Sequence, residues 1–290
     1  MNRISLPIFI FQVLLHQALA QPPFEPFEPY RENSMRLIQG VSFSSDDQIM
    51  YFTLPHSEYQ SSFGLKTDHE AARLGIYQAT KTDTGWSRPV LLSFSGKTSQ
   101  YEPTLSPNDS ILLFNSKQWT GDSLTPANNI WFSRLENGAW TTPGSLVNVN
   151  TFERVESYPT LSKDGKLIYT KEERIANRIV YSLYETSFEG VRTKAGTRLN
   201  LFQYPTSLSD PCLSSDGRYL LFTKFDPDNW EASCDLYMSI HESGKWTAPI
   251  PLEQINSSGP DFSAYLTSGS QWLYYRRNYH YVRVKFEDIL

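Results

Sequence analysis

The sequence predicts an all-β propeller: four-stranded antiparallel blades set radially, five in number, with the ring closed by an N-terminal strand. Three observations predict it. One phrase recurs down the chain, as "YEPTLSPNDSILLFNS" (101–116), "SYPTLSKDGKLIYTK" (157–171) and "SDPCLSSDGRYLLFTK" (209–224), with weaker copies "VSFSSDDQIMYFT" (41–53) and "SAYLTSGSQWLYYRR" (263–277). The equivalents of the leucine in "TLS" are Phe43, Leu105, Leu161, Leu213 and Leu266, at separations of 62, 56, 52 and 53 residues, the period of a repeat architecture. The composition is rich in aromatics (14%) and in Ser, Thr and Tyr, which suits strands.

Each copy has the same internal order. A short strand ends at "LS" or its like. A tight turn follows, clearest at Asp164-Gly165 and Asp216-Gly217, where glycine supplies the positive φ of a hairpin turn. Next comes an apolar run ("IMYF", "ILLF", "LIY", "YLLF", "WLYY") that reads as a strand buried on both faces. After a variable loop a third strand begins near Gly75, Asn129, Arg178, Asp235 and Tyr281. The last strand opens with Trp86, Trp140 or Trp246; the third copy, "GVRTK", has none. These tryptophans are expected to pack each outer strand against the next blade.

A single meander cannot bury both faces of its middle strands, and five placed face to face can. The fifth copy lacks a fourth strand. "MRLIQG" from Met35 has no partner of its own, so it is expected to complete that blade and remove an open sheet edge. A six-bladed ring with one degenerate blade and an open array are the alternatives; about 50 residues per blade leaves room for five.

Residues 1–20 read as a signal peptide, with Arg3, an apolar stretch shorter than the ~20 residues of a span, and Ala18-Leu19-Ala20 before Gln21. Residues 21–29, "QPPFEPFEP", read as a Pro-rich lead-in, and residues 30–290 as one propeller domain. Loss of Arg3 takes the formal net charge from −5 to −6, which argues against nucleic acid and against a polybasic membrane grip. The expectation is an exported protein, periplasmic or secreted, without membrane insertion. An even cysteine count in such a protein suggests a disulfide. However, Cys212 and Cys234 fall on strands with another strand between them, a gap of about 9.5 Å that disfavours a bond.

In register, these residues resemble the TolB-type, WD-repeat-like propeller family, whose repeat carries Pro-x-x-Ser-Pro-Asp-Gly, an apolar strand and Asp-Ile-Tyr. Pro103, Ser106 and Pro107 match, as do Pro159, Ser162, Asp164 and Gly165, then Pro211, Ser214, Asp216 and Gly217, and Asp235-Leu236-Tyr237. The resemblance covers nearly all of residues 21–290. It implies the propeller fold and a binding platform; such propellers also occur as accessory domains of peptidases, but no Gly-x-Ser-x-Gly elbow is present.

Function is expected on the rim that carries the long loops, from Leu54, Lys117 and Phe225, with shorter ones from Glu172 and Asn278. Three sets of residues are candidates there. Lys171, Lys224 and Arg277 align, with Lys117 one position later, as a partial ring of cations for a carboxylate or sugar acid. Their bland reading is strand-end ion pairing. Glu102 and Asp210, with Glu156 and Asp261 nearby, start the channel strands and could serve as an acid/base pair, although repetition favours a structural cause. Tyr59, Trp119, Trp230 and Tyr279 could stack on sugars or anchor a protein, or simply fold each loop back on its blade. The histidines at 56, 69, 241 and 280 show no metal-ligand spacing, and neither a metal nor a cofactor is expected. Two readings of function result. The first is a non-catalytic binding platform for a protein or glycan. The second is a glycan-acting hydrolase or lyase with carboxylates at the channel mouth, recognisable by an acid pair in a pocket with at least one raised pKa.

Overall fold

The computed structural model describes residues 25–27, 38–55, 74–96, 98–116, 119–120, 123–124, 128–151, 153–190 and 192–290. They form five antiparallel blades. Blade 1 is built from Gln39–Phe43, Ile49–Pro55, Leu74–Thr82 and Gly85–Trp86, running from the channel outward. Blade 2 is Gln100–Leu105, Ile111–Ser116, Asn129–Glu136 and Ala139–Trp140. Blade 3 is Glu156–Leu161, Lys166–Ile175, Arg178–Glu189 and Arg192–Thr193. Blade 4 is Ser207–Leu213, Tyr219–Phe225, Asp235–Glu242 and Lys245–Trp246. Blade 5 is Asp261–Leu266, Trp272–Arg277 and His280–Lys285, with Glu25–Pro26 outermost.

That last strand corrects one expectation. The ring is closed by the Pro-rich segment: Glu25 and Pro26 pair with Arg283 and Val282, whereas Gln39-Gly40 of the segment expected to close it begin the inner strand of blade 1. Pro26 is tolerated because an outermost strand has one edge without ladder partners. Phe27 then inserts beside Tyr274 and Phe43, ring centroids 4.9 and 5.9 Å away, and Arg283 reaches Glu25 at 2.6 Å. The first blade is thus tied to the last.

The repeated words now have physical readings. The serine after the ruler residue locks the turn. Ser44, Ser106, Ser162 and Ser214 each donate to the acid or amide two residues on, and each accepts the backbone N–H of residue 49, 111, 166 or 219. Gly165 and Gly217 hold the left-handed φ of +83° and +73° that the turn demands. The residue before the ruler joins blade to blade. Ser42 Oγ, Thr160 Oγ1, Cys212 Sγ and Tyr265 Oη accept the backbone N–H of Leu105, Leu213, Leu266 and Phe43, each one blade on. Cys212 is therefore a hydroxyl substitute, and both cysteines are free and buried.

Five apolar clusters fill the five spaces between blades, including the one between blades 5 and 1 around Phe43, Phe52, Tyr77, Tyr274 and Tyr281. The tryptophans sit in these spaces, but against the preceding blade. Trp140 lies edge-on to Tyr51 of blade 1 at 5.8 Å, and Trp246 Nε1 donates to Glu185 of blade 3 at 2.9 Å. The "EERIANR" loop expected in the third copy is instead a continuous hairpin, with Ala176 and Asn177 both at positive φ in its turn.

Two stability outcomes follow. Thr160→Ala leaves the buried Leu213 N–H without its acceptor and lowers unfolding free energy by about 1–3 kcal/mol in a denaturant titration. Phe27→Ala empties the closing contact and costs about 3 kcal/mol, read in the same titration.

Candidate active site

Each inner strand carries a β-bulge, a break in register between Gln39 and Val41, Tyr101 and Thr104, Ser157 and Thr160, Ser209 and Cys212, and Phe262 and Tyr265. The bulge residues are Gly40, Glu102, Tyr158, Asp210 and Ser263, all at positive φ between +48° and +56°. In blades 2, 3 and 4 the next residue is Pro103, Pro159 or Pro211. Proline fits there because the bulge interrupts the ladder and no N–H is required. The sequence repeat therefore places five different side chains, from five equivalent positions, around one level of the central channel. Two are carboxylic acids. One is glycine: a Cβ on Gly40 would sit 2.9 Å from the Glu102 Cα and collide with its carboxylate, so the Glu102 side chain uses the room the glycine leaves.

The environment of these acids is unusual. Burial pushes the Glu102 carboxyl up to about 8; the charge of Asp210 pushes the same way and Arg276 opposes it. Burial raises Asp210 to about 6, against hydrogen bonding from Ser209, the Arg276 charge and Ser263. Ser209 Oγ donates to Asp210 Oδ2 at 2.6 Å. Tyr158 is driven well above its ordinary value by burial and by both acids. Arg276 stands behind them. Its guanidinium lies over the rings of Phe262, Tyr281 and Tyr279 at 5.1, 5.8 and 5.9 Å, its Nη2 donates to the Tyr279 carbonyl at 3.1 Å, and no acceptor among the described residues reaches its buried Nε. Near neutral pH the set reads as protonated Glu102, ionised Asp210 and Arg276⁺.

A cavity of ≈ 70 Å³ lies on the channel axis, with Glu102, Tyr158 and Asp210 in its wall and the turn residues Ser45, Pro107 and Ser215 at its other end. Among the described residues no group of three or more His, Cys, Asp or Glu side chains could hold a metal ion.

The other candidates fall elsewhere. Glu156 and Asp261 share a repeat position two residues ahead of the bulge, and both hold loops. Glu156 is fully buried and accepts from Thr151 N and Oγ1 at 2.8 and 2.7 Å and from Asn129 at 3.1 Å; Asp261 accepts from Ser257 N and Oγ. The aligned cations answer acids rather than forming a free ring. Lys171 pairs with Glu156 at 3.1 Å, Arg277 lies opposite Asp261 in the ladder, and Lys224 lies opposite Asp235 and over the Tyr237 ring at 5.4 Å. Trp230 starts a short helix, Trp230–Ser233, and folds its loop down onto Phe225 and Phe262 at 4.9 and 5.4 Å. Tyr279 is 40% exposed, with its hydroxyl on Glu231 and its ring 5.7 Å from Phe262. Trp119 lies in a two-residue strand, Trp119–Thr120, paired with Ser123–Leu124. Tyr59 and Lys117, with His56 and His69, lie outside the described residues. Arg276 was not singled out from the sequence, since it looks like one more strand-end cation beside Arg277. A second hollow of ≈ 940 Å³ lies on the loop rim between blades 3 and 4, lined in part by Arg178, Tyr181, Lys224 and Phe225.

Fold and channel together define a five-bladed β-propeller with an acid pair at its centre. No protein-family model and no curated protein matches the sequence. Solved structures of the same fold include an endo-arabinase from Bacteroides thetaiotaomicron (TM-score 0.52, 14% identity, covering 87% of this chain and 94% of that one). A putative glycoside hydrolase from Parabacteroides distasonis is also similar (0.51, 13%, 93% and 94%), as is a putative TolB from Agrobacterium tumefaciens (0.51, 14%, 82% and 69%). At such identities the likeness is one of fold.

Burial of Glu102 has a stability consequence. The folded carboxyl keeps its proton up to about pH 8, while the unfolded one releases it near its ordinary 4.5, so its contribution to stability falls as pH rises across that window. Glu102→Gln therefore raises Tm at pH 8 by a few degrees, with the gain shrinking toward pH 4.5 in thermal scans.

Proposed function

We propose that the protein is an exported glycan-acting hydrolase, in which Glu102 is the general acid and Asp210 the general base. One observation carries this reading. At two of five equivalent channel positions the repeat is broken by carboxylic acids, and their environments set their pKa values apart, to about 8 and about 6. Glu156 and Asp261 also share a repeat position, but their carboxylates are spent on loop hydrogen bonds, whereas Glu102 and Asp210 line the channel cavity. Glu102 and Asp210 stand two blades apart, with Tyr158 of the blade between them, and all three line the same cavity. Protonated Glu102 gives its proton to the glycosidic oxygen as the bond to the anomeric carbon breaks. Asp210 takes a proton from the water that adds to that carbon. Exchange with solvent then restores both groups. Arg276 holds Asp210 ionised during this exchange. The likeness in fold to an endo-arabinase and to a putative glycoside hydrolase supports the substrate class. Export rests on residues 1–20; among the described residues no helix is long and apolar enough to cross a membrane.

Activity on a panel of plant and cell-wall glycans should give a bell-shaped profile, rising as Asp210 ionises near pH 6 and falling as Glu102 loses its proton near pH 8. Glu102→Gln and Asp210→Asn should each lower kcat by about 10²–10⁴-fold, and each should remove one limb of the profile. No cleavage across the panel, or a profile that neither variant alters, overturns the assignment.

The second reading is a binding platform that recognises a protein or glycan through the loop rim, and the hollow between blades 3 and 4 favours it. It expects a ligand that raises Tm equally in the wild type and in Asp210→Asn, and loses that effect in Tyr181→Ala.

A further inference from the structure

We propose that Glu102 and Asp210 are reached from the rim of tight turns, not from the rim of long loops, and that the pocket there takes a sugar unit of a glycan. The ligand class rests on the hydrolase reading above; the direction of approach does not. The cavity on the channel axis runs from the bulge level to the turns, so Ser45, Pro107, Ser215 and Ser268 stand at its mouth and Glu102 and Asp210 at its depth. The side chains one residue past each bulge, Val41, Pro103, Pro159, Pro211 and Ala264, form a collar between the two. Three of the five are the prolines of the repeated phrase, so the collar is both narrow and stiff.

On the opposite side Arg276 and the rings around it are packed together behind the acids. Arg276 spans the rings of Phe262, Tyr279 and Tyr281, and Tyr281 is 5% exposed. Tyr279 is tied to Glu231, and Trp230 covers Phe262. None of these residues lines the cavity. The chemistry of the lining suits a sugar. The apolar collar faces the C–H surfaces of a sugar, while Glu102, Tyr158, Asp210 and Ser263 meet its hydroxyls and glycosidic oxygen at the floor.

The route can be tested without any substrate. The folded protein is treated with a water-soluble carbodiimide and glycine ethyl ester near pH 5.5, and labelled carboxyls are mapped by mass spectrometry. Glu102 or Asp210 is expected to label in the wild type. Narrowing the collar with Ala264→Leu should cut that labelling at least tenfold, and so should Ser268→Cys at the mouth once coupled to a bulky maleimide. Tyr279→Ala on the loop rim should leave it within twofold. Unlabelled acids in the wild type, labelling indifferent to both collar and mouth, or a large rise in Tyr279→Ala overturns the route. If no glycan is cleaved, the sugar ligand falls with the hydrolase reading, while the labelling still decides the route.

Discussion

Everything in this molecule depends on one shortfall: a four-stranded blade has two apolar faces and nothing of its own to cover them. In the runs "ILLF" and "YLLF" the last three residues are fully buried, yet within a blade their side chains project to both sides of the sheet. Each face is covered only when another blade stands against it, and the last blade only when the ring closes. The short stretch Glu25–Phe27 is therefore as important to the core as any long strand. It supplies the outermost pairing of blade 5 and, through Phe27, a wedge between blade 5 and blade 1.

Radial packing alone would leave blades free to slide. The side chains of Ser42, Thr160, Cys212 and Tyr265 prevent this by accepting a main-chain N–H from the next blade at the channel wall. These acceptors lie deep, where an unpaired N–H is costly, so they set the register between blades as well as adding to stability. They also hold the bulges level with one another. A channel built this way can vary one residue per blade at the bulge without disturbing the rest, because the bulge residue is outside the ladder. Glycine, glutamate, tyrosine, aspartate and serine at five equivalent positions are the result, and the acid pair is an outcome of that freedom. Its cost is visible in the raised pKa of Glu102, a carboxyl the fold would hold more easily as an amide.

Much of this was legible in the chain. The leucine ruler, the Asp-Gly turns and the doubly buried apolar runs gave the blade count and strand order. Three features were read differently from what the fold made of them. Residues 21–29 looked like an extended lead-in because they are Pro-rich, yet at an outermost edge a proline is compatible with a strand. The tryptophans were assigned to the wrong neighbour, since nothing in a repeat says which of two flanking blades a side chain will meet. The four acids near the channel strands looked like one class, although a bulge of one residue separates two that hold loops, Glu156 and Asp261, from two that face the channel.

By itself, then, the sequence determined the repeat, the turns and the kind of fold, because periodicity and turn chemistry are local properties written in consecutive residues. Only the tertiary structure decided which residues share a space. Glu102, Asp210 and Arg276 are far apart in the chain and come from blades 2, 4 and 5. Their mutual charges, their burial and the glycine that makes room for one of them exist only once the ring has closed.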